Sequence, residues 1–130
     1  MIKGLEHVAL VTTDVERAAR FFVEKLGFRE TMRLETSHSG TIIFVSLGGC
    51  EVELFGRGKP KDPKESSFGG EVVGYKHITL LVDSVDEEYA RLKALGVGFF
   101  MDPTSAESGL RLAFFKDPDG NAIELLQKPE

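Results

Sequence analysis

Lys116-Asp117-Pro118-Asp119-Gly120-Asn121-Ala122-Ile123-Glu124-Leu125-Leu126-Gln127 reads as a tight turn followed by a strand. Pro118 has its φ preset for the second position of a turn, Asp and Asn side chains can bond nearby backbone, and Gly120 accepts positive φ. DPDGN is therefore a hairpin connection between two apolar runs. In the strand that follows, Glu124 stands between Ile123 and Leu125, in a segment too short and too apolar to be anything but largely buried. A carboxylate is costly to bury unless it is paired or bound to a metal. Its partners must lie elsewhere in the chain.

Working outward, residues 75–82 predict a strand containing His77, and Ser84-Val85-Asp86-Glu87 is a capping box. The predicted helix buries Val85, Tyr89, Leu92 and Leu95 and stops before Gly96. Strands follow near 98–101 and 110–116. Nearer the start, Glu6-His7-Val8-Ala9-Leu10-Val11 predicts a buried strand, and Asp14 caps a helix whose stripe is Val15, Ala18, Ala19, Phe22 and Leu26. Gly27 closes that helix at the position where a left-handed residue is preferred. Strands at 28–34, 41–47 and 50–55 follow, with Ser39-Gly40 and Gly48-Gly49 as turns. Between the halves, residues 56–74 are rich in Gly, Pro, Lys and Ser and read as a linker.

The two halves repeat. His7 to His77 is 70 residues, Leu26-Gly27 to Leu95-Gly96 is 69, and Glu53 to Glu124 is 71. Landmarks that keep one offset are the signature of duplication. Each half is β-α-β-β-β and has elements that one small module could hardly bury alone, so the halves are expected to pack about a pseudo-twofold axis.

The repeat preserves the residues hardest to explain as packing. Strand alternation turns Val8, Val52, Leu54, Ile78, Ile123 and Leu125 toward the helices, and aims His7, Glu53, His77 and Glu124 at the opposite face. Two neutral nitrogens and two anionic oxygens match a divalent metal of borderline hardness. A lone strand histidine is more often a core residue, but only three histidines occur here and two fall at equivalent places of the repeat. Glu51 shares a strand face with Glu53 and is the alternative ligand if the register slips by two.

Composition sets bounds. The chain has 130 residues, 42% hydrophobic and 28% charged, which suits one compact domain or two small repeats sharing one core. No apolar run approaches the roughly 20 residues needed to span a bilayer. A net charge of −5 argues against a general nucleic-acid binder. The start of the chain has no apolar signal region, and the reading is a cytoplasmic protein. Cys50 has no second thiol to pair with and is expected to be a buried small hydrophobe. His38, in Thr36-Ser37-His38-Ser39-Gly40, reads as an exposed turn residue.

The EHVAL and KHITL strands, the ELF and IELL strands and the FFKDPDGNAIEL ending resemble the vicinal oxygen chelate superfamily, also called the glyoxalase/bleomycin resistance/dioxygenase family, over nearly the whole chain. The resemblance implies an α+β fold: one domain over 1–130 made of two tandem βαβββ modules, 4–55 and 75–127, whose mixed sheet curls into a cup. It places His7, Glu53, His77 and Glu124 at the family's metal positions, with Ni, Co, Zn, Mn or Fe as the ion.

Full His/Glu/His/Glu ligation resembles glyoxalase I, or lactoylglutathione lyase, more than its relatives. That implies a lyase or isomerase that moves a proton next to a carbonyl through a metal-stabilised enediolate, with Glu124 as the base and Glu53 as the alternative. Glutathione-dependent glyoxalases commonly carry an Arg four residues after the first His and an Asn four residues after the first Glu. Val11 and Arg57 stand at those places. The expected substrate is a 2-oxoaldehyde–thiol adduct or an acyl-CoA. Another superfamily enzyme, of methylmalonyl-CoA epimerase or Fe(II) dioxygenase type, and a small-molecule-binding resistance module are the alternatives. Arg57, within a basic run with Lys59, Lys61 and Lys64, and Phe44 and Phe114 are the candidate substrate contacts; of the adjacent pairs Phe99-Phe100 and Phe114-Phe115, only one member each can face the cup. Exposed strand edges suggest a homodimer.

Overall fold

Alternation of large apolar and polar residues, interrupted by one amphipathic helix in each half, determines the architecture of the computed structural model, in which residues 1–60 and 74–130 are described. The chain divides into two compact units, Met1–Pro60 and Lys61–Glu130. Of the expected linker, 61–73 lie outside the described residues, and the rest forms neither helix nor strand. No described helix is long and apolar enough to cross a membrane.

The first unit runs β1 (His7–Val11), α1 (Val15–Arg20), a π-helical turn (Phe21–Lys25), β2 (Arg29–Thr36), β3 (Gly40–Ser46) and β4 (Glu51–Phe55). Its four-stranded sheet has the order β1-β4-β3-β2, with β1 parallel to β4 and the other pairs antiparallel. The second unit repeats it: β5 (Ile78–Leu81), α2 (Val85–Ala94), β6 (Phe99–Ser105), a short 3-10 turn (Glu107–Gly109), β7 (Arg111–Lys116) and β8 (Ala122–Gln127), in the order β5-β8-β7-β6. Two βαβββ modules with mixed sheets are what the repeat predicted, and the class is α+β.

In each unit the helix covers one sheet face. Ala18, Ala19 and Phe22 lie under Ile43, Val45, Val52 and Leu54, and Val85 and Leu92 lie under Ala113, Phe115, Ile123 and Leu125, all buried. Both helices start as the sequence indicates, the Asp14 carboxylate accepting from Arg17 N and the Ser84 hydroxyl from Glu87 N.

Several details depart from expectation. The first helix does not stay α-helical to Leu26: its last turn widens to π, and Phe28 N donates to Phe22 O at 3.0 Å. The wide turn brings the Phe22 and Phe28 rings edge to face at 5.1 Å and buries Phe28. In the second helix Leu95 is 41% exposed, because the helix ends at Ala94 and the chain reverses through Gly96 at φ 85°. Val97, whose N–H bonds Leu92 O, occupies the core place instead. Cys50 is exposed, not buried, because it lies in the connection between β3 and β4, where Gly48 and Gly49 both take positive φ. The strand around His77 is shorter than expected, so His77 stands just before β5; β6 extends through Pro103, which an edge strand tolerates.

The DPDG turn is held by a carboxylate. Asp117, 7% exposed, accepts from Asp119 N at 2.9 Å, Asn121 N at 2.8 Å and Asn121 Nδ2 at 2.8 Å. Burial pushes its pKa above the usual aspartate range, and the hydrogen bonds only partly oppose that. A raised carboxyl pKa in the folded state means that folded protein holds the proton longer than unfolded chain. Asp117's contribution is therefore fully present below the unfolded pKa near about 4 and falls as pH rises through the folded value. Asp117→Ala should cost about 2–3 kcal/mol at neutral pH through the loss of three acceptor contacts, and more in acid. Urea unfolding at several pH values measures this; a variant as stable as wild type would show that the turn holds without the carboxylate.

Candidate metal centre

In the first unit, the face of the sheet turned away from the helix gathers His7, Phe44 and Glu53. Glu53 is cross-strand partner to Phe44 on β3 and to Ala9 on β1, two residues along from His7. The carboxylate reaches back along β1, so that His7 Nε2 lies 3.4 Å from Glu53 Oε1. The Phe44 ring stands edge-on to the imidazole, centroids 5.9 Å apart. Glu53 is 14% exposed, and Val52 and Leu54 beside it are buried on the opposite face.

The second unit builds the same group from His77, Phe114 and Glu124. Glu124 pairs with Phe114 on β7 and Thr79 on β5, and its Oε1 lies 4.0 Å from His77 Nε2. The Phe114 ring is edge-on to His77 at 5.1 Å. Glu124 is likewise 14% exposed, between the fully buried Ile123 and the nearly buried Leu125.

The donor chemistry fits a divalent ion. Imidazole nitrogen and carboxylate oxygen each sit about 2.0–2.2 Å from zinc, so two such donors up to about 4.2 Å apart can share one ion. Both pairs meet that limit. Among the described residues His, Cys, Asp and Glu form no group of three or more able to hold a metal; each unit presents one pair.

Glu51 has a different partner from Glu53. Its Cα lies opposite His7, but its carboxylate accepts from the Thr31 hydroxyl at 2.6 Å. Arg57 lies two residues beyond the end of β4. Its side chain crosses Gly40, where a Cβ would stand 2.8 Å from Arg57 Nε, and its backbone takes a positive φ of 64°. Phe44 and Phe114 are with the donors, whereas Phe115 is fully buried on the helix side, its ring 5.3 Å from Phe99. His38 is exposed in the turn before β3, as expected. Lys61 and Lys64 of the basic run lie outside the described residues.

Two side chains beside the donors were not singled out from the sequence. Glu6 Oε2 is hydrogen-bonded to His7 Nδ1, and Thr79 Oγ1 donates to Glu124 Oε1 at 2.9 Å. The Glu6 hydrogen bond is the main cause raising the His7 pKa above the ordinary imidazole range; desolvation opposes it, and the charges of Glu6, Glu53 and Glu51 add to it. Their signals were an acid adjacent to one histidine and a hydroxyl two residues after the other.

The family model described as the Glyoxalase/Bleomycin resistance protein/Dioxygenase superfamily matches residues 4–125. The uncharacterized protein YwkD of Bacillus subtilis is 31% identical over 130 residues, covering 98% of this chain and 99% of YwkD. A probable lactoylglutathione lyase of Vibrio parahaemolyticus is 28% identical over 131 residues, covering 95% of this chain and 90% of its own. Among solved structures, TnmS3, an antibiotic binding protein from Streptomyces sp. CB03234, superposes with a TM-score of 0.78 at 28% identity, covering 98% of each chain.

Proposed function

Because the chain belongs to the glyoxalase/bleomycin resistance protein/dioxygenase superfamily, we propose that it is a divalent-metal-dependent lyase or isomerase of glyoxalase I type, with His7, Glu53, His77 and Glu124 as its metal ligands. The observation that carries this reading is the matched pair of His–Glu contacts, 3.4 Å and 4.0 Å, built at equivalent places of two modules. One such pair is unremarkable in a folded protein. Two related by a duplication, each joining an imidazole to a carboxylate only 14% exposed, support a role as cation ligands.

A bound ion supplies Lewis acidity for the oxygen beside the carbon that loses its proton. The chain's own residues do the remainder. Glu124 takes a proton from the carbon next to a carbonyl and returns it to the neighbouring carbon, acting in turn as base and acid. Glu53 is the alternative base. Phe44 and Phe114 stand edge-on to the two imidazole rings and give the donors an apolar wall. Arg57 offers its guanidinium to an anionic tail of the substrate. The substrate class is a 2-oxoaldehyde–thiol adduct, in a protein that works as a homodimer in the cytoplasm. The relatives named probable lactoylglutathione lyase support the reaction class; Val11 and Arg57 at the two glutathione-contacting places favour a different thiol.

The test is elemental analysis, then titration of metal-free protein with Ni, Co, Zn, Mn and Fe(II) while methylglyoxal–thiol adducts and acyl-CoA epimers are assayed. One equivalent of metal with turnover of an adduct is expected. Turnover of an acyl-CoA, or oxygen consumption with Fe(II), would replace this activity by another of the superfamily. The likeness to TnmS3 supports one competing reading, a module that sequesters a small molecule; that reading stands if no metal binds at one equivalent.

A further inference from the structure

The two modules repeat their donors but not what stands behind them. Behind His7 lies the Glu6 carboxylate, bonded to Nδ1, the ring nitrogen that does not face Glu53. At the matching place before His77 stands Lys76, whose ammonium only donates and so cannot accept an imidazole N–H. Behind Glu124 lies the Thr79 hydroxyl, donating to Oε1 at 2.9 Å from the cross-strand partner position. At the matching partner position of Glu53 stands Ala9, whose methyl can donate nothing.

We infer that Glu6 and Thr79 are positioning residues of the proposed metal centre and divide its support unequally, Glu6 fixing the imidazole of the first module and Thr79 the carboxylate of the second. The inference rests on the metal-dependent reading above. A neutral imidazole has one N–H and one lone pair, and a carboxylate on Nδ1–H leaves the lone pair on Nε2, the atom facing Glu53. A hydroxyl on Glu124 Oε1 fixes that carboxylate's rotation and occupies one of its lone pairs. It also gives Glu124 a partner within the protein at a moment when it is not a ligand. Glu53, opposite Ala9, has no such hydroxyl on its partner strand.

The experiment uses the full chain. Affinity for Zn(II) and Co(II) is measured by competition with a chromophoric chelator for wild type, Thr79→Val, Thr79→Ser, Glu6→Ala and Glu6→Gln. Imidazole 15N shifts of His7 are recorded in metal-free protein, and circular dichroism checks the fold. Removing an outer partner of a metal ligand weakens binding about 10–100-fold. Such a loss is expected for Thr79→Val and Glu6→Ala, with Thr79→Ser restored to near wild type and Glu6→Gln between. The His7 shifts of wild type should show Nδ1 protonated, and those of Glu6→Ala a mixture of tautomers. Unchanged metal affinity in either truncated variant overturns the assignment for that residue. Wild type that binds no metal overturns the function itself, an outcome the chelator titration separates from the former before any variant is made.

Discussion

Metal-loaded Glu124→Gln is expected to lose about 10²–10⁴-fold in kcat, the range that a positioned general base contributes, while Glu53→Gln loses less. Glutamine keeps an oxygen that can face a cation and accept from Thr79, but it cannot take up a proton, so the variant isolates proton transfer from placement. The two carboxylates start from near-equivalence: each is 14% exposed, each lies across from a phenylalanine on the neighbouring strand, and each faces a histidine Nε2. What separates them is the hydroxyl of Thr79 against the methyl of Ala9. Turnover of the adduct and uptake of solvent deuterium into product read the step directly. A larger loss in Glu53→Gln than in Glu124→Gln would move the base to the first module; equal and small losses in both would remove proton transfer by either.

Much of this was legible because it rests on local chemistry that repeats. The DPDGN turn needs Pro118, Gly120 and an acceptor at Asp117, and each is visible as a residue type; the structure adds that Asp117 alone accepts three of the turn's hydrogen bonds. The paired placement of His7 with Glu53 and of His77 with Glu124 was legible because a duplication displays the same polar intrusion twice. Glu53 was separable from Glu51 only by offset; in the structure Thr31 on β2 engages Glu51, while Glu53 faces His7.

What escaped depends on how chain ends and edges settle in three dimensions. Leu95 fits the helical stripe as well as Leu92 does, but the helix stops one residue earlier and the left-handed Gly96 swings Val97 into the core. Cys50 has a buried residue's chemistry and a turn residue's position, and position prevailed. Glu6 and Thr79 were invisible for a different reason. Each acts on a donor through a single contact, and an acid or a hydroxyl near a strand start has many commoner explanations.

Phe115→Ala should be among the most damaging core substitutions in the second unit, costing about 3–5 kcal/mol. Phe115 is fully buried, cross-strand partner to Ile123 on β8 and Phe99 on β6, and its ring packs 5.3 Å from that of Phe99. Small domains are stable by only about 5–15 kcal/mol, so a loss of that size moves the unfolding midpoint far toward lower urea. Phe114→Leu, one residue away, should behave differently: it keeps an apolar side chain in place and so should cost less than Phe115→Ala, yet it removes the ring that stands edge-on to His77 at 5.1 Å. Urea titration of both variants, paired with Zn(II) affinity, checks the division. If Phe115→Ala lost less than about 1 kcal/mol, the helix-side face would not be the unit's core. If Phe114→Leu destabilised as much as Phe115→Ala and left Zn(II) binding unchanged, the donor-side face would be ordinary packing. Strand alternation places the two phenylalanines on opposite faces, so a one-residue step along β7 crosses from the surface that keeps the module folded to the one that holds the donors.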